Sequence, residues 1–137
     1  MSFFKVFDIA GSGMSAQMLR LNTVSSNLAN SQTVSATEEG AYRSRQPVFQ
    51  QVLDALNTGD NSKVKVSQIV ESDASIPLNY MPNHPLANED GYVYGSNVNV
   101  VEEMTNMMSA SRSYQNNTEM MNTSKELLLR TLQLGRV

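Results

Sequence analysis

The 137-residue sequence has no cysteine, no tryptophan and one histidine, His84. Without cysteine it can form neither disulfides nor thiolate metal sites, and a Cys/His nucleophile pair is excluded. One imidazole leaves a Ser/His pair with thin support. The missing thiols do not choose a redox compartment, because a cysteine-free chain suits either. Aromatic residues make up 7% of the chain against nine methionines and 40% hydrophobic residues, so a compact core here would be aliphatic and thioether in character, adaptable but weakly specifying. No stretch approaches the roughly 18 consecutive apolar residues of a membrane span, and the opening MSFFKVFDIAGSGM lacks the basic and apolar regions of a secretory signal. By these rules alone the expected compartment is the cytosol.

Charge is also scarce. The net charge of −3 gives no basic footprint for nucleic acid, and the acidity sits in the middle: residues 1–30 carry +1, residues 31–98 carry −4, and residues 99–137 balance four acids with four bases. The length suits one domain, and a second independent core is not expected.

The chain divides into three parts. In residues 1–32, Phe4, Phe7, Gly11, Met14, Met18, Leu21, Ser25 and Leu28 follow one another at alternating spacings of three and four, one face of an amphipathic helix with a coiled-coil-like seam. Gly11 and Gly13 break this pattern, either because the helix starts or kinks there or because a neighbouring backbone comes close. Residues 33–98 hold all four prolines and four of the seven glycines, so they form no long helix. Lys63–Val70, KVKVSQIV, alternates as a half-buried strand after a TGDNS turn at Thr58–Ser62, with Val64 and Val66 on one side and Gln68 and Val70 continuing it. Gln46–Leu56 reads equally as strand or short helix, and a second strand near Gly91–Tyr94 completes a small hairpin or sheet too thin to stand alone.

Residues 99–137 open with Asn99 as a helix cap, Glu102 at the third helical position in a capping-box arrangement, and Glu103 beside it at the positive end of the dipole. From there to Leu134 there is neither glycine nor proline, and Gly135 is a natural stop. Val100, Met104, Met107, Ser111, Tyr114, Thr118, Met121, Lys125, Leu128 and Leu132 repeat the alternation of four and three. A helix of this extent is on the order of 50 Å long, more than one short N-terminal helix can cover on both sides. Met108, Met120, Leu127 and Leu129 fall off the main stripe and imply partners from other chains.

Catalytic chemistry has little to stand on. His84, in NHPLANEDGY, has Glu89 and Asp90 nearby but no second histidine or cysteine, and DGY reads more simply as a turn into a strand. The adjacent acids Glu38/Glu39, Glu89/Asp90 and Glu102/Glu103 diverge in any regular structure and read as solvated turns and a helix start. The methionines at 104, 107, 108, 120 and 121 suit an adaptable helix-packing surface better than a soft metal site. No catalytic, cofactor or metal residue is assigned, and no small-molecule substrate.

FDIAGSGMSAQMLRLN from Phe7, SSNLAN from Ser25, GAYRSRQPVFQ from Gly40, HPLANEDGYV from His84, and NVNVVEEM followed by MSASRSYQNNTEMMNTSKELLLRTLQLGR together resemble the bacterial flagellar axial proteins, and among them the proximal-rod branch. The resemblance covers essentially the whole chain. It implies a mainly α protein without enzymatic activity, whose long terminal helices pair in a shared helical domain with a small β region between them. It also implies partners: further copies of itself, other rod proteins, ring and adaptor proteins of the basal body, and the flagellar type III export apparatus. The implied location moves from the cytosol to the basal-body rod crossing the periplasm. The implied axial motif is Asn27, Leu28, Ala29 and Asn30, followed by Thr33, Gly40 and Tyr42. Here VSATEE separates Thr33 from Gly40, a longer polar insert than in many axial proteins. SSNLAN is then the last turn of a packing helix, with Asn30 tolerant of the left-handed conformation that ends helices, and TVSATEEGAYRSR is the exit into the middle.

The assembly residues expected on this basis are Phe4, Phe7, Met14, Met18, Leu21, Leu28, Val100, Met104, Met107, Tyr114, Met121, Leu128 and Leu132, on seams left incomplete in a single chain. The alternative is a cytoplasmic helical adaptor or export chaperone that holds a partner through the Met-rich C-terminal helix. Incomplete seams predict frayed termini around a partly ordered middle in the isolated subunit, so its circular dichroism should show well under full helicity. A fully helical monomer with one cooperative melt contradicts this.

Overall fold

The computed structural model describes residues 3–53 and 62–135. Two long terminal helices, α1 (Phe3–Ala29) and α2 (Val100–Leu134), bracket four short strands, β1 (Arg45–Leu53), β2 (Ser62–Glu71), β3 (Leu78–Tyr80) and β4 (Tyr92–Tyr94). The expected turn at Thr58–Ser62 lies, except for Ser62, outside the described residues, as does the side chain of Phe4.

The Asn99 side chain accepts from the backbone N–H of Val101 at 3.1 Å and of Glu102 at 3.4 Å, satisfying two of the free donors at the start of α2. Among the described residues no bond returns from Glu102 to Asn99, so the cap is one-sided rather than a capping box. Glu103, expected as a solvated partner of the dipole, is 3% exposed and belongs to the interior. Gly135 ends α2 with φ −82°, so the stop does not use the left-handed region that glycine favours.

α1 runs unbroken through Gly11 and Gly13, which rules out a helix start at either. Gly13 is the site of a close approach, by a side chain rather than a backbone: a Cβ there would lie 2.9 Å from Asn117 Nδ2, whereas Gly11 faces open space. The end of α1 also differs from expectation. No described non-glycine residue has positive φ, Asn30 included. The last carbonyls are instead closed jointly by backbone and side chain: Ser26 O, Leu28 O and Asn30 O accept the backbone N–H of Asn30, Ser31 and Thr33 at 3.1–3.2 Å, and also Asn30 Nδ2, Ser31 Oγ and Thr33 Oγ1 at 2.7–2.8 Å. Short polar side chains folding back on their own turn make the left-handed cap unnecessary.

The helices pack antiparallel, with Arg20 donating to Asn106 at 2.9 Å and Thr118 to the Met14 sulfur at 3.4 Å, beside the Gly13/Asn117 contact. The buried side of α1 carries Ala10, Ala16, Thr23, Val24 and Asn27, and that of α2 carries Glu103 and Ala110. Ala10, Gly13, Gln17, Arg20, Val24 and Asn27 stand one residue before Gly11, Met14, Met18, Leu21, Ser25 and Leu28, so the contact with α2 is turned about 100° from the large apolar stripe. Small and polar residues let the two backbones close up, while the bulky stripe stays half-buried or exposed.

β1 and β2 form an antiparallel ribbon, Arg45 opposite Glu71 and Leu53 opposite Ser62, with a bulge where Val48 pairs with Gln68 but Phe49 with Val66. The slip at Ser67 breaks the simple alternation read from KVKVSQIV. The ribbon lies along α1, tied by Lys63 to Asp8 at 3.2 Å and by Val64 N–H to Ser12 Oγ at 3.3 Å. Only Lys63 and Val66 of the expected half-buried strand are partly covered, and the rest of Lys63–Val70 is exposed.

β3 and β4 pair separately, Leu78 with Tyr94 and Tyr80 with Tyr92, so the second strand expected near Gly91 joins a partner other than KVKVSQIV. Its loop is built on Asn88, whose Oδ1 accepts from Asp90 and Tyr92, and on Gly91 at φ +82°. His84 is a turn residue whose Nδ1 accepts the Leu86 N–H at 3.2 Å. Gly91→Ala would be strained by its φ and by the Tyr80 ring 3.0 Å from the new Cβ. It should destabilise the hairpin by about 1–3 kcal/mol, visible as lost hydrogen-exchange protection at Met81 and Gly95, whose N–H groups bond across it to Gly91 O and Pro77 O.

Candidate assembly surface

A polar junction holds the middle of the chain against both helices. Asn27, fully buried in the last turns of α1, donates to Arg45 O at 2.8 Å and accepts from Arg45 N at 3.0 Å, pairing with that residue as a neighbouring strand would. It also donates to Ser44 Oγ at 3.3 Å and accepts from the Tyr42 hydroxyl at 3.0 Å, which uses every hydrogen-bonding position of its amide. Ser44 Oγ in turn donates to Glu103 Oε1 of α2 at 3.3 Å, while Ser44 N–H donates to Asn97 Oδ1 at 2.7 Å. Asn97 Nδ2 reaches Ser72 O and Ala74 O, at 3.3 and 3.0 Å. Helix, ribbon start, ribbon end and second helix thus meet within a few residues. Glu103 Oε2 and Gln17 Oε1 are buried without a protein partner.

This junction contains Asn27 and Tyr42 of the expected axial motif. Leu28 is half-buried, and Ala29, Thr33 and Gly40 are exposed. Gly40 is held by neighbours: a Cβ would lie 2.7 Å from Ser35 Oγ, and its N–H donates to Thr37 Oγ1. The exit segment is fastened where Ser35 exchanges both backbone bonds with Tyr94. Sequence reading missed Ser44, Asn97 and Glu103. The one available signal was an acid at the foot of a capped helix, which reads as a dipole partner until its burial is known.

The other part of the surface is apolar. Among the described residues the buried hydrophobic side chains are Ala10, Ala16, Val24, Ala41, Val93 and Ala110, four of the six being alanine, whereas 22 large hydrophobic side chains are exposed. Of the expected assembly residues, Phe7, Met14, Leu21, Leu28, Met107, Tyr114, Met121 and Leu128 are half-buried, and Met18, Val100, Met104 and Leu132 are exposed. The total accessible area is 9763 Å², against roughly 7,100 Å² for a compact monomer of this mass. The excess, about 2,700 Å², is roughly three times what one standard interface removes from each partner.

Comparison with known proteins identifies this architecture. The profile described as Flagella basal body rod protein matches residues 7–37, and the one described as Flagellar basal body rod FlgEFG protein C-terminal matches residues 89–134. The flagellar basal-body rod protein FlgC of Salmonella typhimurium strain LT2 is 48% identical over 136 residues, covering 99% of this chain and 100% of the relative. The chain belongs to the FlgC family of flagellar basal-body rod proteins. FlgC of Yersinia enterocolitica is 46% identical over 136 residues with the same coverage, and FlgC of Bacillus subtilis 35% identical over 150 residues, again 99% and 100% of the two chains. Family membership makes the chain a structural component of the basal-body rod rather than an enzyme. The two matched stretches include Asn27 and Glu103, the helical members of the junction.

Replacing Asn27 with alanine should leave the Arg45 N–H and the Ser44 and Tyr42 hydroxyls short of a partner, at a cost of about 2–4 kcal/mol. Tyr42→Phe should cost about 1 kcal/mol. Urea unfolding followed by circular dichroism checks both, and equal effects would mean that the amide clamp is not the organising contact.

Proposed function

We propose that the chain polymerises through its terminal helices into the proximal rod, the tubular shaft that crosses the periplasm, transmits torque and conducts exported subunits. The observation that carries this reading is the imbalance between an alanine-rich interior and a long apolar exterior, in a chain similar over its full length to rod proteins. A single chain cannot cover that exterior, and lateral and axial neighbours can. Low charge on both helices favours tight packing, since buried unpaired ions would oppose it. The partners of this reading are further copies, other rod proteins, basal-body ring and adaptor proteins, and the type III export apparatus. No described helix is long and apolar enough to cross a membrane.

Leu128→Asp combined with Leu132→Asp should abolish motility and halt basal bodies before the rod is complete, with the variant still made at normal level. Electron microscopy of basal bodies from a strain without the protein should show no rod, hook or filament beyond the inner-membrane ring. Complete flagella in that strain would remove the reading and favour the adaptor alternative.

A further inference from the structure

Two apolar surfaces lack cover among the described residues. One is a groove of about 660 Å³ between α1 and β2, walled by Met14, Met18 and Leu19 on the helix and by Val64 and Val66 on the strand. α2 meets the methionine stripe at Met14, whose sulfur accepts from Thr118, and leaves Met18 47% exposed. The other is the end of α2. The register set by Arg20/Asn106 and Gly13/Asn117 brings Phe3 level with residues near 127, so the last two turns continue past the described end of α1. There Leu127, Leu129, Leu132 and Leu134 are between 49% and 78% exposed.

These surfaces cannot meet in one molecule. α2 is a continuous helix to Leu134, and its register carries the last turns past Phe3, whereas the groove lies along α1 from Ser12 to Asn22. We infer that the leucine-bearing last turns of α2 from one copy dock into the α1/β2 groove of a second copy. The inference rests on the rod reading and names the contact that propagates the polymer. Methionine side chains are unbranched and polarizable, so a thioether-lined wall moulds around leucine without a preformed socket. Lys65, among the described residues the one charged residue lining the groove, has Glu126 of the incoming helix available as a partner. The surface in excess of a compact monomer is sufficient for each copy to give one such contact and receive another. Because donor and acceptor are different patches, the contact is heterologous: it repeats from copy to copy and builds an open helical array unless its rotation happens to close.

The absence of cysteine allows a direct test, since every disulfide formed must be an introduced one. Met18→Cys is combined in turn with Leu127→Cys, Leu129→Cys, Leu132→Cys or Leu134→Cys in the full-length chain, expressed as the sole copy and oxidised mildly in cells. The expected result is a ladder of disulfide-linked multimers from at least one combination, and a single linked dimer when the two substitutions of that combination are carried on separate co-expressed chains. No ladder from any of the four overturns the inference, as does cross-linking only to a different protein or a dimer from a leucine-position variant alone. Motility separates the two levels: motile cells with no ladder reject this contact and leave the rod reading standing, whereas complete flagella without the protein reject the rod reading itself.

Discussion

The buried amide of Asn27 is the contact on which the rest of the arrangement depends. A chain with so small an apolar interior cannot locate its elements by hydrophobic burial alone. One side chain with two donors and two acceptors, meeting both backbone groups of Arg45, fixes where the ribbon leaves the helix. From that point Ser44 reaches Glu103, and Asn97 gathers the return strand, so both helices and both ends of the ribbon are referenced to one residue. Such a network specifies geometry because each member would be costly to leave unpaired.

The interior and exterior divide the work of specification between them. Between α1 and α2 the side chains are mostly small or polar, which brings the backbones close but contributes little burial. The bulky residues lie mostly to one side of that contact, half-buried or exposed. Among the described residues the three ion pairs are partly or well exposed, and contribute at most about 1 kcal/mol each.

Much of this was legible in the amino-acid sequence, and what was not has a physical reason. An unbroken run without glycine or proline, opened by Asn99, announces α2 to within a residue, and the alternation of KVKVSQIV announces β2. The packed face of each helix was hidden because hydrophobic periodicity reports which side must be covered eventually, without saying by which chain. The Ser67 bulge and the three-residue β3 leave too short a pattern to read. The end of α1 was misjudged because Asn30, Ser31 and Thr33 can close a helix with their side chains as well as asparagine can by changing backbone region. Asn27 stood out only through the resemblance of NLAN to the axial proteins. Its partners lie 15 to 18 residues away, and a hydrogen bond leaves no periodicity. Glu103 looked like a surface acid for the same reason.

The placement of the clamp has a mechanical consequence. A helix pair joined firmly at one end and lightly along a smooth seam behaves as a cantilever, stiff near its root and increasingly compliant toward its tip. The root is where the ribbon and both helices converge, and the tip is the leucine-bearing overhang. Deflection of such a beam grows steeply with free length, so the tips of chemically identical chains can bend to follow unequal surroundings while their roots keep the same shape.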